Sequence, residues 1–178
     1  MFSTTPITRW FIIEAMVPAR SATSAAADCG VVTTMTSALG QKLPSAEVIV
    51  VTTPQSAAAE VAERAGTMAS MMNQRVVGVI ENMSWLDLPD GSRMELFGSG
   101  GGQAVSDALT KVLGARVPLL GQIPLDTRLR EAGDAGAPIV LAQPDAPAAQ
   151  ALEKIAEGLT VRQRGLAGMP LGLTPVSG

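Results

Sequence analysis

The run Leu119-Leu-Gly-Gln-Ile123 ends at Pro124, which Leu125 and Asp126 follow. Proline lacks the amide hydrogen that a sheet ladder needs, so a strand here ends at Pro124 and the chain turns out into a loop. Two earlier segments share this design. Val48-Ile-Val-Val-Thr52 leads into Thr53-Pro54, and Val76-Val-Gly-Val-Ile-Glu81 leads into Asn82-Met-Ser84. Short β-branched runs without polar alternation suit strands buried on both faces of a parallel sheet. Between the first two lies a helical pattern, with Thr53 placed to cap it and Pro54 at its first position. Ala58, Val61, Ala62, Ala65, Met68, Ala69 and Met72 recur at steps of three and four residues, and Asn73 supplies a stop. The unit is a βαβ crossover, whose strands run parallel. All strand ends then share one edge, and open α/β sheets bind ligands at that carboxyl edge.

The remaining elements follow the same logic. A polar, glycine-rich loop spans Asn82 to Gly102, with Pro89-Asp-Gly91 supplying a hairpin-like turn. A helix with Val105, Leu109 and Val112 on one face ends before Gly114. Asp126 or Thr127 can cap a helical turn over Arg128–Ala132, where Arg130, Glu131 and Asp134 form a solvated face. Ile139-Val-Leu141 reads as a fourth short strand. Ala149, Leu152, Ile155, Ala156 and Leu159 mark a closing helix that ends near Gly158. Residues 1–40 are rich in Ser, Thr and Ala and lack a sustained period, so they read as a poorly ordered segment. The expected organisation is thus an atypical segment 1–40, an α/β domain over 41–159, and a flexible tail over 160–178.

Composition narrows the function classes. The net charge of -3 offers no clustered basic face, which argues against nucleic acid. No apolar run reaches the ~18 residues of a membrane span. Trp10-Phe-Ile-Ile13 is too short for a secretory segment and no positive cluster precedes it. A soluble, cytoplasmic protein is the expectation. The chain has no histidine, so neither a Ser-His-Asp nor a Cys-His pair can form within it. Its single cysteine, Cys29, excludes an intramolecular disulfide and gives no metal-ligand spacing.

Three loops at the carboxyl edge are candidate sites, each with two readings. The Asn82 amide offers a donor and an acceptor, which suits the edge of an adenine ring, but asparagine also serves to turn a loop. Pro124 and Asp126 either flank a ligand or form a turn and a helix cap. Gly98-Ser-Gly-Gly-Gly102 precedes a helix, so Gly98, Gly100, Gly101 and Gly102 either present amides to an anion or form a flexible turn.

Taken in order, Val48–Gln55, Val76–Ser84, Phe97–Gly102 and Gly121–Asp126 resemble the C-terminal half of the Mrp/ApbC family, from about Gly40 to the chain end. That family comprises MinD-type P-loop ATPases that carry iron–sulfur clusters. The resemblance implies an α/β fold, a partial doubly wound parallel sheet flanked by helices that forms the C-terminal half of a P-loop NTPase fold. It implies that Asn82 reads the adenine base, that Pro124 and Asp126 form the second base-contacting loop, and that Gly98–Gly102 lies near the cluster and the dimer interface. ATP, magnesium and an iron–sulfur cluster are the implied cofactors. A homodimer, or pairing with a full-length relative, and iron–sulfur apoproteins are the implied partners.

The chain departs from the family pattern in three places. It has no Gly-Lys-Gly-Gly-x-Gly-Lys-Ser/Thr loop and no Asp-x-Pro-Pro-Gly segment. Where many relatives carry Cys-x-x-Cys it reads Trp85-Leu-Asp-Leu-Pro-Asp-Gly-Ser-Arg-Met-Glu-Leu96. Phosphoryl transfer needs a lysine and a backbone cradle, and clusters need thiolates. The expectation is a truncated ATP-binding protein of iron–sulfur cluster assembly or carriage, with adenine-side elements kept and no hydrolysis of its own. The alternatives are a non-catalytic module that pairs through the Gly-rich loop and the Met-rich helix, or the remnant of a damaged gene.

Overall fold

A computed structural model describes residues 10–14 and 47–163. Four parallel strands form the main sheet in the order β1-β2-β3-β6: β1 Trp10–Glu14, β2 Glu47–Thr52, β3 Arg75–Asn82 and β6 Leu119–Ile123. Helix α1, Ser56–Met71, joins β2 to β3, and α2, Gly101–Leu113, precedes β6. The chain then continues through α3 Thr127–Asp134, α4 Ile139–Ala142 and α5 Pro147–Gln163. A small antiparallel hairpin, β4 Leu86–Asp87 and β5 Arg93–Met94, stands in the loop after β3, with Pro89–Gly91 in its turn.

Alternation along β2 sorts the core into two layers. Val48 and Val50 face α1 and α2 with Ala62, Ala65, Val79 and Leu109, while Ile49 and Val51 face α5 with Ile80, Ile123, Ala149 and Ile155. Both faces are covered, which is why β2 and β3 are apolar without interruption. The register slips between Val48 and Ile49, so Val77 and Gly78 occupy one step of the partner strand. Val77 lies in the second layer, and a Cβ at Gly78 would stand 2.5 Å from Leu120 Cγ, also packed there. A bulge that turns two residues to one face needs a residue without a side chain, and Gly78 provides it.

Several expectations shift. Within residues 1–40, which show no strand period in sequence, Trp10–Glu14 pairs with β2 over five residues. The rest of that segment, the poor order expected of it, and Cys29 lie outside the described residues. Ile139–Leu141 is helical, not a strand: a short β-branched run is ambiguous, and here the amides of Leu141 and Ala142 bond back to the Pro138 carbonyl. Gln55, not Thr53, is the N-cap residue of α1. Val112 is 54% exposed despite its place in the expected stripe of α2. Helix α5 runs through Gly158 to Gln163, so the first four residues of the expected tail are helical, and the remainder lies outside the described residues.

Helix ends follow the sequence closely elsewhere. Asn73 adopts φ 60°, with Asn73 and Gln74 amides bonding to the Ser70 and Ala69 carbonyls, which is a Schellman stop. Gly114 ends α2 in the left-handed region at φ 64°.

Candidate functional site

The loops after β3 and β6 leave the sheet side by side. Asn82 is in register with Ile123, the last residue before Pro124. Beyond the sheet the two loops remain joined: the Ser84 amide donates to the Ile123 carbonyl at 3.1 Å, and the Leu125 amide donates to the Trp85 carbonyl at 2.7 Å. The fold thus brings Asn82, Pro124 and Asp126 to one stretch of the carboxyl edge. A cleft of about 220 Å³ opens there, lined by Pro124, Asp126 and Arg128 on one side and Leu86 and Asp87 on the other.

Asn82 Oδ1 accepts from the Met83 amide at 2.9 Å, and Met83 adopts φ 57°. The turning role expected of Asn82 is therefore present, while its Nδ2 remains a donor. Asp126 fills its capping role as well. Its Oδ1 accepts from the Arg128 amide at 3.0 Å, and its two oxygens accept from Arg128 Nε and Nη2 at 2.9 and 3.0 Å. Burial pushes this carboxyl up, but the Arg128 hydrogen bonds and guanidinium charge outweigh it and hold the group below the ordinary carboxylate range. The same contact raises Arg128. Arg130, Glu131 and Asp134 form exposed ion pairs at 3.1 to 3.5 Å, as expected of a solvated face.

The Gly-rich segment lies farther along the same edge. Gly98 and Gly100 have φ of 83° and 82°, which side chains rarely adopt. Gly101 and Gly102 are needed for a different reason, close approach. A Cβ at Gly101 would stand 2.5 Å from the Pro54 carbonyl oxygen, and one at Gly102 would stand 2.6 Å from Glu81 Cβ. The amide of Gly102, in the first turn of α2, donates to Glu81 Oε2 at 2.6 Å. One donor of this helix terminus is therefore already used by a carboxylate from within the protein.

Glu81 and its partner Gln122 are the site residues that the sequence motifs miss. Glu81 Oε1 accepts from Gln122 Nε2 at 2.7 Å. The available signal is a charged residue ending an uninterrupted apolar strand, since a carboxylate buried there must find donors. The hairpin beside it is braced by Arg93, which stacks 4.2 Å over the Trp85 ring and bonds Asp87 at 3.3 Å.

Pro124 and Asp126 line the cleft, while Asn82 ends the adjacent strand without lining it. Among the described residues there is no cysteine and no group of three or more His, Cys, Asp or Glu placed to hold a metal ion, so they do not fit an iron–sulfur cluster. No helix among them is long and apolar enough to cross a membrane.

Comparison with known proteins adds to this geometry. The model of the ParA family, the NUBPL iron-transfer P-loop NTPases, matches residues 32–160. The iron-sulfur cluster carrier protein of Mycobacterium bovis is 59% identical over 137 residues, covering 77% of this chain and 36% of the relative. The Synechocystis iron-sulfur cluster carrier protein is 45% identical over 122 residues, covering 67% of this chain and 33% of the relative. The chain thus spans about a third of the length of these relatives. The cell division ATPase MinD of Pyrococcus furiosus superposes with a TM-score of 0.51 at 24% identity, over 65% of this chain and 43% of that one. This last likeness concerns the fold.

Proposed function

Since the chain belongs to the ParA family of NUBPL iron-transfer P-loop NTPases, we propose that it forms the adenine side of a nucleotide site in an iron–sulfur cluster carrier. The observation that carries the reading is the carboxyl edge, where Asn82 stands level with Ile123, the residue before Pro124, and where Pro124 and Asp126 line a cleft. Asn82 offers its Nδ2 donor to the base edge, and Pro124 packs against the ring. Asp126 holds the floor of the cleft by fixing the start of α3, as its three bonds to Arg128 support. ATP with magnesium is the nucleotide, and its phosphate cradle comes from outside residues 47–163.

The cluster is the cargo of this reading, delivered to apoproteins that need one, and the Gly98–Gly102 segment faces a second copy or a full-length relative. The setting is the cytoplasm. By itself the chain binds adenine compounds weakly and does not turn ATP over, because the largest share of nucleotide affinity in such folds comes from backbone amides around the phosphates.

Competition against a fluorescent adenosine analogue tests the reading. Adenosine should displace the probe in the millimolar range, about −4 kcal/mol, guanosine should not, and Asn82→Ala should abolish the difference. Equal displacement by the two nucleosides, or selectivity retained in Asn82→Ala, would remove the basis for a base-reading role.

A further inference from the structure

Glu81 has 1% of its surface exposed and is the last buried residue of a strand whose other buried residues are aliphatic or glycine. A charge so deeply buried persists only when its oxygens are bonded. Each oxygen of Glu81 has one donor, and the donors come from different elements. Gly102 gives its amide from the first turn of α2, and Gln122 gives Nε2 from β6. The first bond is also favoured by the helix dipole, which attracts negative charge at this end.

The segment leading to this bond is built to pivot on one side and to fit tightly on the other. Gly98 and Gly100 have left-handed φ and open space around them, whereas Gly101 and Gly102 touch the Pro54 carbonyl and Glu81. The segment also stands between two cavities. Ser99 and Gly100 line one of about 350 Å³ together with Pro54, Glu60 and Glu63. Ser99 also lines a second, of about 440 Å³, into which Glu81, Gln122 and Arg93 open.

We propose that Glu81 is a latch, whose carboxylate holds the Gly98–Gly102 segment in place between these cavities and whose replacement by a neutral side chain frees it. A neutral amide at position 81 has one group that donates and one that accepts, and both of its neighbours are donors. Gln122 can turn its amide and offer its oxygen instead. The Gly102 backbone has no such choice and keeps at best a bond to a neutral acceptor, about half as strong as the charge-assisted one.

Few other charges surround Glu81. Arg93 and Glu95 of the hairpin line the cavity it faces, β6 presents only the Gln122 amide, and α2 presents its backbone. Glu60 and Glu63 of α1 line the other cavity, beyond the segment. The latch requires neither nucleotide nor cluster, so it stands whether or not a base binds at Asn82.

Amide hydrogen exchange on the full chain tests it. At neutral pH the amides of residues 98–104 should exchange roughly tenfold faster in Glu81→Gln than in the wild type, the ratio for a difference of about 1.4 kcal/mol. Amides of β2 and α1 should be unchanged. Equal exchange at 98–104, or a uniform rise over all elements in the variant, would overturn the latch and leave Glu81 an ordinary core residue. If the variant fails to fold, Glu81→Asp decides, since it keeps the charge and shortens the reach: faster exchange confined to 98–104 supports the latch, and exchange unchanged there or raised in all elements overturns it.

Discussion

Gly102 shows how little freedom single positions have at this edge. A methyl group there meets Glu81 Cβ at 2.6 Å and Leu119 Cδ1 at 3.0 Å, with no flexible chain end to yield on the Glu81 side. Gly102→Ala should therefore destabilise the fold by about 1–3 kcal/mol, as overpacking does, measured by urea denaturation. Asp126 offers the opposite kind of test, through charge. Its carboxyl is held below the ordinary range in the folded protein. The stabilisation is therefore complete above the unfolded value and lost as pH falls through the lower folded one. Asp126→Ala should cost about 1 kcal/mol at neutral pH through the lost cap and should flatten that acid limb of the stability profile. An unchanged acid limb would show that the Arg128 contact has no energetic weight. Asp126 was legible as a cap because residue type and position agree. Glu81 was less so, since no local motif marks a residue whose partners lie 21 and 41 positions away.

At the scale of elements, the strands buried on both faces were the most legible, because β2 and β3 have no polar alternation to blur them. The hairpin turn at Pro89–Gly91 and the stops at Asn73 and Gly114 were readable from residues with special backbone preferences. Ile139–Leu141 was not. An apolar triplet with two β-branched residues fits strand or helix equally, and its fate is set by Pro138 and by packing of Ile139 against the layer containing Ile155. Strand β1 was hidden for a related reason, since Trp10–Glu14 gains its partner only through register with Glu47–Val51. Periodicity also overstated the buried face of α2. Leu109 is fully buried and fills the space over Gly66, while Val112 is exposed. Leu109→Ala should cost about 2–5 kcal/mol, and Val112→Ala should change stability by no more than about 0.5 kcal/mol. Thermal denaturation of the two variants in parallel checks the contrast.

For the molecule as a whole, the sheet order makes β1 the neighbour of β2 on the side away from β3. An uncovered β2 would present a row of unpaired backbone groups, an invitation to self-association. Ile12→Pro, which places a strand-breaking residue at the middle of β1 opposite Ile49, should increase association in sedimentation velocity. An unchanged distribution would mean that β1 does not protect the edge. The cluster expectation also belongs at this scale. With one cysteine per chain, even a symmetric dimer supplies two thiolates, short of the usual four. Anaerobic reconstitution should leave no stable cluster absorbance, and a stoichiometric cluster lost in Cys29→Ser would contradict that. The proposed role gives this chain the base side of a nucleotide site without the phosphate side. Calorimetric titration of the full chain with adenosine and with magnesium ADP, side by side, tests it most directly. Similar weak affinities are expected for the two, both reduced in Asn82→Ala. Magnesium ADP binding a hundredfold or more tighter than adenosine, about 2.7 kcal/mol, would contradict it by revealing a phosphate cradle within the chain.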